Sequence, residues 1–526
     1  MSKKLRAAVR NVVVSVVWLF IPHALTADSF NSLKPNVVII YADDLGYGDV
    51  ACYNPDRGKI ATPWIDQLAT QGMRFTDAHS SSGVCSPSRY TLLTGRYHWR
   101  SRLQSGIVSL WGPPVISADR LTLGRLAKQQ GYHTACIGKW HLGWNWGIGK
   151  DQRKFLSSTG YNGKKDLEVT PEHVEAWRQV FSQPITGGPL DVGFDHYFGT
   201  DVPNWPPYCF IEDDRTVGIP DRFADLGLFK KNQASQQGPA IANWTLEPIL
   251  PTLVERSVKY IQQRSQTDHP FLLYLSLTSP HTPLSVNKKW QGASGLNPYA
   301  DFVMETDAAV GRILLALREN GCEKNTLVLF TSDNGCAPYI GMDELAKRGH
   351  YSSGPLRGAK SDAWEGGHRV PFVVRWPGIV PEGTINRRLV HQADLLATLA
   401  GILGVEIPAN AGEDSFSFLP LLRGKDHPIR PNAVSAGMNG LPAIRQSQWK
   451  YIPGPGSGGW GKGKTGGLPV QLYNLKVDVS ELDNLASEMP DRVAAMQALW
   501  ETLIVNGRST PGLPQENDVP VRRFPK

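Results

Sequence analysis

Five short apolar runs punctuate the chain, and each reads as a buried strand. They occupy residues 37–41, 133–137, 271–277, 327–331 and 370–375. Between them apolar residues recur at helical spacing. Residues 121–130 precede the second run, 250–264 the third and 301–319 the fourth, and 392–403 follow the last. This alternation predicts an α/β sandwich around a mostly parallel sheet. After about residue 430 the texture changes. Residues 443–451 and 470–474 read as short strands around a glycine-rich loop, and 491–506 as a final helix. A small C-terminal α+β domain is therefore expected over 431–526, behind a main domain at 28–430.

The chain opens with Lys3, Lys4, Arg6 and Arg10, then an apolar stretch at 12–21 and small residues up to Ala27. That order is the layout of an export signal over residues 1–27, too short for a comfortable membrane span. An uncleaved anchor is the alternative. Cleavage removes four positive charges, so the formal +7 becomes +3. No basic stripe appears elsewhere, so no nucleic-acid partner is inferred. The mature chain is expected outside the cytoplasm, periplasmic or extracellular, with no stable membrane span.

With 526 residues, 41% apolar and 20% charged, the composition is that of a packed globular protein. Six cysteines contain no CxxC pair, which argues against structural zinc. Export permits disulfides, with Cys322 and Cys336 one possible pair. Gly458 to Thr465 reads GGWGKGKT, a literal match to a phosphate-binding loop. Its flanks carry Pro453, Pro455 and Pro469 rather than a buried strand and a helix start. A mobile surface hairpin loop that reaches the substrate is the preferred reading.

Chemistry gathers where the strands end. The first run leads into Asp43-Asp44 and the fourth into Asp333-Asn334. In open parallel sheets ligands bind at that edge. Four hard oxygen side chains converging there suit Ca²⁺, or Mg²⁺ in a tight cage. Turn chemistry alone also places Asp and Asn at strand ends. The second run delivers Lys139 and His141, and the third delivers His281. In Cys85-Ser86-Pro87-Ser88-Arg89, Pro87 suits a first helical position, Ser86 the cap and Gly95 the stop. Cys85 then lies at a helix amino end, where anions are favoured and a thiolate nucleophile is possible. Arg89 falls four residues on, on the same side.

These residues carry a resemblance. Cys85-x-Pro87-x-Arg89, continued by Leu92-Leu93-Thr94-Gly95-Arg96, is similar to the signature of the formylglycine-dependent sulfatases of the alkaline-phosphatase-like superfamily. Further segments agree in order: Asp43 to Asp49, Gly138 to Gly143, Ser279-Pro280-His281, Ser332 to Gly335, Arg357 to Lys360 and Glu365 to Pro371. The resemblance covers roughly residues 35 to 500. It implies that a separate enzyme, formylglycine-generating or anaerobic sulfatase-maturating, converts Cys85 to formylglycine. It implies Ca²⁺ held by Asp43, Asp44, Asp333 and Asn334, with the hydrated aldehyde of residue 85 completing the shell. Arg89 resembles the residue steadying the hydrate, and Lys139 and Lys360 the sulfate-binding lysines. His141 resembles the base or hydrogen-bond partner of the hydrate, and His281 the acid for the leaving oxygen.

The implied activity is hydrolysis of a sulfate monoester. Aromatic and polar residues at 201–215, with Trp140, Trp144 and Trp146, suggest a sugar-binding surface, to which His368 and Arg312 are further candidates. A carbohydrate sulfate is therefore preferred to a small aryl sulfate. The rivals are a phosphomonoester or phosphonate hydrolase of the same superfamily, a non-catalytic sulfoglycan-binding protein with Cys85 left as a thiol, and a cysteine hydrolase using the thiolate directly.

Overall fold

A computed structural model describes residues 34–156, 168–229, 235–463 and 468–523. The proposed signal segment at 1–27 and Lys464-Thr465 lie outside the described residues. The centre is a ten-stranded sheet. In chain order its strands are β1 (Asn36–Ala42), β2 (Met73–Phe75), β3 (His133–Lys139), β4 (His196–Thr200), β5 (Ile211–Glu212), β6 (Arg215–Thr216), β7 (Phe271–Ser276), β8 (Thr326–Ser332), β9 (Phe372–Arg375) and β10 (Thr384–Asn386). They lie side by side as β10-β2-β9-β8-β1-β7-β3-β4-β5-β6. The inner five, β8 to β4, are parallel.

Strand geometry explains the layers. Side chains alternate along a strand, so Val37, Ile39 and Tyr41 face one way and Val38, Ile40 and Ala42 the other. The first set packs with Leu92 of α2 (Cys85–Thr94), Leu123 and Leu126 of α3 (Leu123–Gln129), and Leu399 of α6 (Asp394–Leu403). The second set packs with Ile65 and Leu68 of α1 (Pro63–Thr70), Leu253 of α4 (Ile249–Arg264), and Val303 and Val310 of α5 (Pro298–Glu319). Each such aliphatic side chain contributes roughly 1.5–3 kcal/mol of burial. Two apolar faces make β1 a continuous hydrophobic run, which is why its sequence does not alternate.

Two strands depart from the sequence reading. The run at 370–375 forms β9, which is antiparallel to both of its neighbours. After β8 no long helix crosses back over the sheet, so the chain re-enters from the edge it left and must run the other way. Strand β4 carries His196 and Gly199 and has too little apolar character to stand out. A Cβ at Gly199 would come 1.8 Å from the Gly138 carbonyl oxygen, so the close pairing of β3 and β4 requires glycine there.

The C-terminal part forms a four-stranded antiparallel sheet of β11 (Ala433–Ala436), β12 (Pro442–Gln446), β13 (Trp449–Ile452) and β14 (Gln471–Asn474). The single strand expected at 443–451 is a hairpin, turning at Ser447-Gln448. Neither residue is one of the glycines or asparagines that usually announce such a turn. One face packs Val434, Ile444 and Leu472 on Trp500 and Leu503 of α7 (Pro490–Val505). The other packs Ala443 and Ile452 on Trp364. Lys450, buried on β13, pairs with Glu365 at 3.0 Å and Glu481 at 2.8 Å.

All six cysteines are unpaired. Cys322 precedes β8 and Cys336 follows it, and a seven-residue strand spans about 20 Å, far beyond a disulfide. Among the described residues no helix is long and apolar enough to cross a membrane.

Candidate active site

The ends of β1, β8, β3 and β7 bring the expected residues to one edge of the sheet. Asp43 and Asp44 follow β1, and Asp333 and Asn334 follow β8, its hydrogen-bonded neighbour. One ligand oxygen from each of Asp43, Asp44 and Asp333 lies within 4.8 Å of the others, all buried. Asp44 holds a left-handed backbone with φ 63°, a conformation Asp tolerates better than most residues. Its N–H donates to Asp333 Oδ1 at 3.0 Å.

Three cations face these three carboxylates. Arg89 reaches Asp333 Oδ2 at 2.8 Å and Asp43 Oδ1 at 3.3 Å. Lys139 Nζ lies 2.8 Å from Asp43 Oδ2, and Lys360 Nζ lies 2.6 Å from Asp44 Oδ2. Lys360 comes from the loop after β8, not from a strand end. Burial would raise Asp43, but Lys139, His281 and Arg89 hold it well below the usual carboxylate range. At Asp333 burial and the Asp43 charge dominate and push it up to about 7. Carboxylates this crowded invite a further cation.

The donor set fits a hard divalent ion. Asn334 Nδ2 donates to Asp44 Oδ1 at 2.8 Å, while Asn334 Oδ1 is buried with no hydrogen-bond partner. An orphaned amide oxygen beside three carboxylates matches the oxygen preference of Ca²⁺ or Mg²⁺. Cys85 joins from the other side: its sulfur, Asp43 and His281 form a second group with ligand atoms within 4.8 Å.

Cys85 is the first residue of α2, two positions earlier than the proline signal suggests. Val84 occupies the cap position without a side-chain bond, Ser86 Oγ instead accepts from the Val108 N–H at 3.1 Å, and Gly95 ends the helix at φ 65°. The helix start does not lower this thiol. Burial raises it, with Asp333 and Asp43 adding to the effect against Lys139 and Lys360. That disfavours the bare-thiolate reading.

Two histidines complete the ring. His141 holds φ 53°, donates its backbone N–H to Asp201 Oδ1 at 3.1 Å, and turns Nε2 toward the Val108 carbonyl oxygen at 3.1 Å. Its Nδ1 is buried without a partner. Burial, with Lys139 and Arg89 close by, pushes it well below its ordinary value. Burial likewise lowers His281 to about 4, against the pull of Asp44. Its Nε2 lies 3.0 Å from Lys360 Nζ, so the neutral ring accepts a hydrogen bond from that ammonium.

A cavity of about 460 Å³ opens onto these groups. Cys85, Lys139, His141, His281 and Lys360 line its floor, and Trp205, Tyr339 and Trp460 its walls. A larger hollow of about 690 Å³ between α4 and α5 holds Arg312 but none of these residues. Arg312 is thus not a lining residue of the site. Nor is His368, which is buried against His79 (3.1 Å) and Lys450 (3.2 Å). His79, Glu365 and His368 have metal-ligand spacing, but the Lys450 ammonium already sits among them. Trp140, Trp144 and Trp146 are buried core rings rather than a sugar surface.

Tyr339 carries no signal in the sequence that marks it as a site residue, and Trp460 is marked only through its loop, read from the sequence as one that reaches the substrate. Trp460 belongs to the glycine-rich loop, which joins β13 to β14 as a hairpin connection, and among the described residues a strand rather than a helix follows it, which does not fit a phosphate-binding loop.

The family model for sulfatases matches residues 35–405. An N-acetylgalactosamine-6-O-sulfatase of Bacteroides thetaiotaomicron is 33% identical over 490 residues, covering 90% of this chain and 94% of its own. Arylsulfatase G of Rattus norvegicus is 31% identical over 519 residues, covering 91% and 88%. A solved Bacteroides thetaiotaomicron sulfatase from work on the metabolism of multiple glycosaminoglycans superposes with a TM-score of 0.74 at 29% identity, covering 90% of this chain and 99% of that one. The PsFucS1 sulfatase from Pseudoalteromonas sp. gives 0.65 at 25% identity, covering 91% and 92%.

Proposed function

Since the chain belongs to the formylglycine-dependent sulfatases and is a sulfatase-type hydrolase acting on a sulfate ester, we propose that its substrate is a sulfated sugar and its nucleophile a formylglycine made from Cys85. The observation that carries this reading is the meeting of Cys85 with Asp43 and His281 on the floor of a cavity flanked by two lysines. Residues 28–430 form the catalytic domain in this reading and 431–526 a C-terminal subdomain, behind an export signal.

Asp43, Asp44, Asp333 and Asn334 would hold Ca²⁺, whose positive charge favours an anionic ester at residue 85. Formylglycine would supply, as its hydrate, one hydroxyl to attack sulfur and a second to expel sulfate afterwards. The remaining work falls to the chain. Lys139 and Lys360 bind the sulfate oxygens and the charge that develops on them. Arg89 holds two of the carboxylates and the amino end of α2 in place. His141 offers its unpartnered Nδ1 toward the hydroxyl that attacks. His281 is the acid for the leaving oxygen, its Nε2 drawing the proton it passes on from the Lys360 ammonium 3.0 Å away.

The sugar preference rests on similarity to a sulfatase named for N-acetylgalactosamine 6-O-sulfate chemistry. The test is sulfate release from a panel of positionally defined sulfated sugars, beside an aryl sulfate and an aryl phosphate of the same leaving group. Turnover of at least one sugar sulfate, and of aryl sulfate faster than aryl phosphate, is expected. Hydrolysis of the aryl sulfate alone would leave a small-molecule arylsulfatase, and faster phosphate release a phosphatase.

A further inference from the structure

Three aromatic side chains stand out as exposed among the described residues: Tyr339, Tyr351 and Trp460. Tyr351 is covered by the Arg57 guanidinium at 3.4 Å. Tyr339 and Trp460 instead face each other, ring centroids 5.8 Å apart at 53°, and both line the cavity above Cys85. Each is 44% exposed. Single exposed aromatics are ordinary on a protein surface. A tilted pair at the mouth of a cavity floored by Lys139 and Lys360 is a built feature.

The backbone supports this. Trp460 comes from the C-terminal sheet's long hairpin loop, yet its N–H donates to Ser361 Oγ at 2.7 Å. The next N–H, of Gly461, donates to Asp362 Oδ1 at 2.8 Å. A Cβ at Gly459 would come 2.2 Å from the Ser361 carbonyl oxygen, so the strap lies directly on that segment. The segment so gripped is the one that carries Lys360. Trp460 is therefore held in a fixed relation to the sulfate-binding lysine, and residues 459–461 form a positioned wall rather than the mobile chain expected from the sequence.

We propose that Trp460 and Tyr339 form the platform against which the sulfated sugar ring packs, making the C-terminal sheet a determinant of substrate choice. The ring's apolar C–H face meets the two aromatic faces while its sulfate reaches Lys139 and Lys360 below. Aromatic rings with polar edges supply large contact area at small entropic cost, which suits a ligand that is part apolar and part hydroxyl. This inference rests on the sugar-sulfate reading given above.

The test compares Trp460→Ala, Tyr339→Ala and Trp460→Phe with the wild type, using the best sugar sulfate of the panel and inorganic sulfate as inhibitor. Trp460→Ala should raise KM for the sugar sulfate at least tenfold, with kcat falling less than KM rises. Tyr339→Ala should act in the same direction, and Trp460→Phe should stay within about threefold of wild type, since a phenyl ring keeps the face. The inhibition constant of inorganic sulfate, which touches only the floor, should not move. An unchanged KM in both alanine variants overturns the platform while leaving the sugar reading intact. An equal loss of sulfate inhibition overturns it too, by showing general damage to the floor. A wild type that turns over no sugar sulfate overturns both.

Discussion

Arg89 donates from Nη2 to Asp333 Oδ2 at 2.8 Å, and both side chains are completely buried. The pair joins the helix that starts at Cys85 to the turn that follows the strand ending at Ser332. Breaking a buried ion pair from one side leaves an uncompensated charge, at a cost of about 3–5 kcal/mol. Arg89→Met should lose stability on that scale in urea unfolding. Arg89→Lys should lose less, since it keeps the charge but not the fork that also reaches the Lys139 carbonyl oxygen. A stability within about 1 kcal/mol of wild type for Arg89→Met, well short of that cost, would count against the pair as an organiser of the site.

Metal should be visible in stability as well as in activity. A ligand that binds only the folded state adds about 2.7 kcal/mol at a hundred times its Kd. Chelation is expected to lower Tm, Ca²⁺ to restore it, and Asp44→Asn or Asn334→Ala to weaken the restoration at least tenfold in Ca²⁺ concentration. Identical melting with and without chelator would remove the ion from the account.

The leaving group should report on His281. General acid help is typically worth about 10²–10⁴-fold and matters most when the departing oxygen is basic. His281→Ala is expected to slow sugar sulfate turnover by about that factor, and an aryl sulfate with an acidic phenol by much less. Equal losses on both substrates would assign His281 to binding instead.

His98 gives the acid limb of stability. It is buried, and burial alone pushes it from an ordinary 6.5 down to about 3. Its Nδ1 lies 3.0 Å from Ser81 Oγ. The folded state keeps it neutral while the unfolded chain takes up a proton below 6.5. Its contribution is thus complete above pH 6.5 and is lost as pH falls toward 3, at about 1.4 kcal/mol for each step of one in pH. His98→Gln should flatten the fall in ΔG of unfolding between about pH 6.5 and 4. An unchanged slope would mean that His98 takes no part in it.

Much of the site is legible because parallel strands announce their carboxyl ends. Asp43-Asp44, Asp333-Asn334, Lys139 and His281 each follow a buried apolar run, and strand pairing brings them together. Lys360 has no such signal: it sits in a long loop, and only the family resemblance points to it. Trp460 and Tyr339 escape for a similar reason. Trp460 arrives from a separate sheet more than three hundred residues beyond Cys85, and although its glycine-rich loop reads as one that reaches the substrate, nothing in it singles out the tryptophan. The direction of β9 is hidden because a buried apolar run carries no sense of orientation. Trp140, Trp144 and Trp146 look like a binding surface in the sequence, yet they fill the core around Tyr197, where large rings bury most area.

The most direct measurement pairs the mass of the peptide carrying Cys85 with sulfate release from the same preparations. Turnover should rise in proportion to the fraction of that peptide present as the aldehyde, and Cys85→Ala should have none. Full turnover from protein whose residue 85 is entirely thiol, or from Cys85→Ala, would contradict the account.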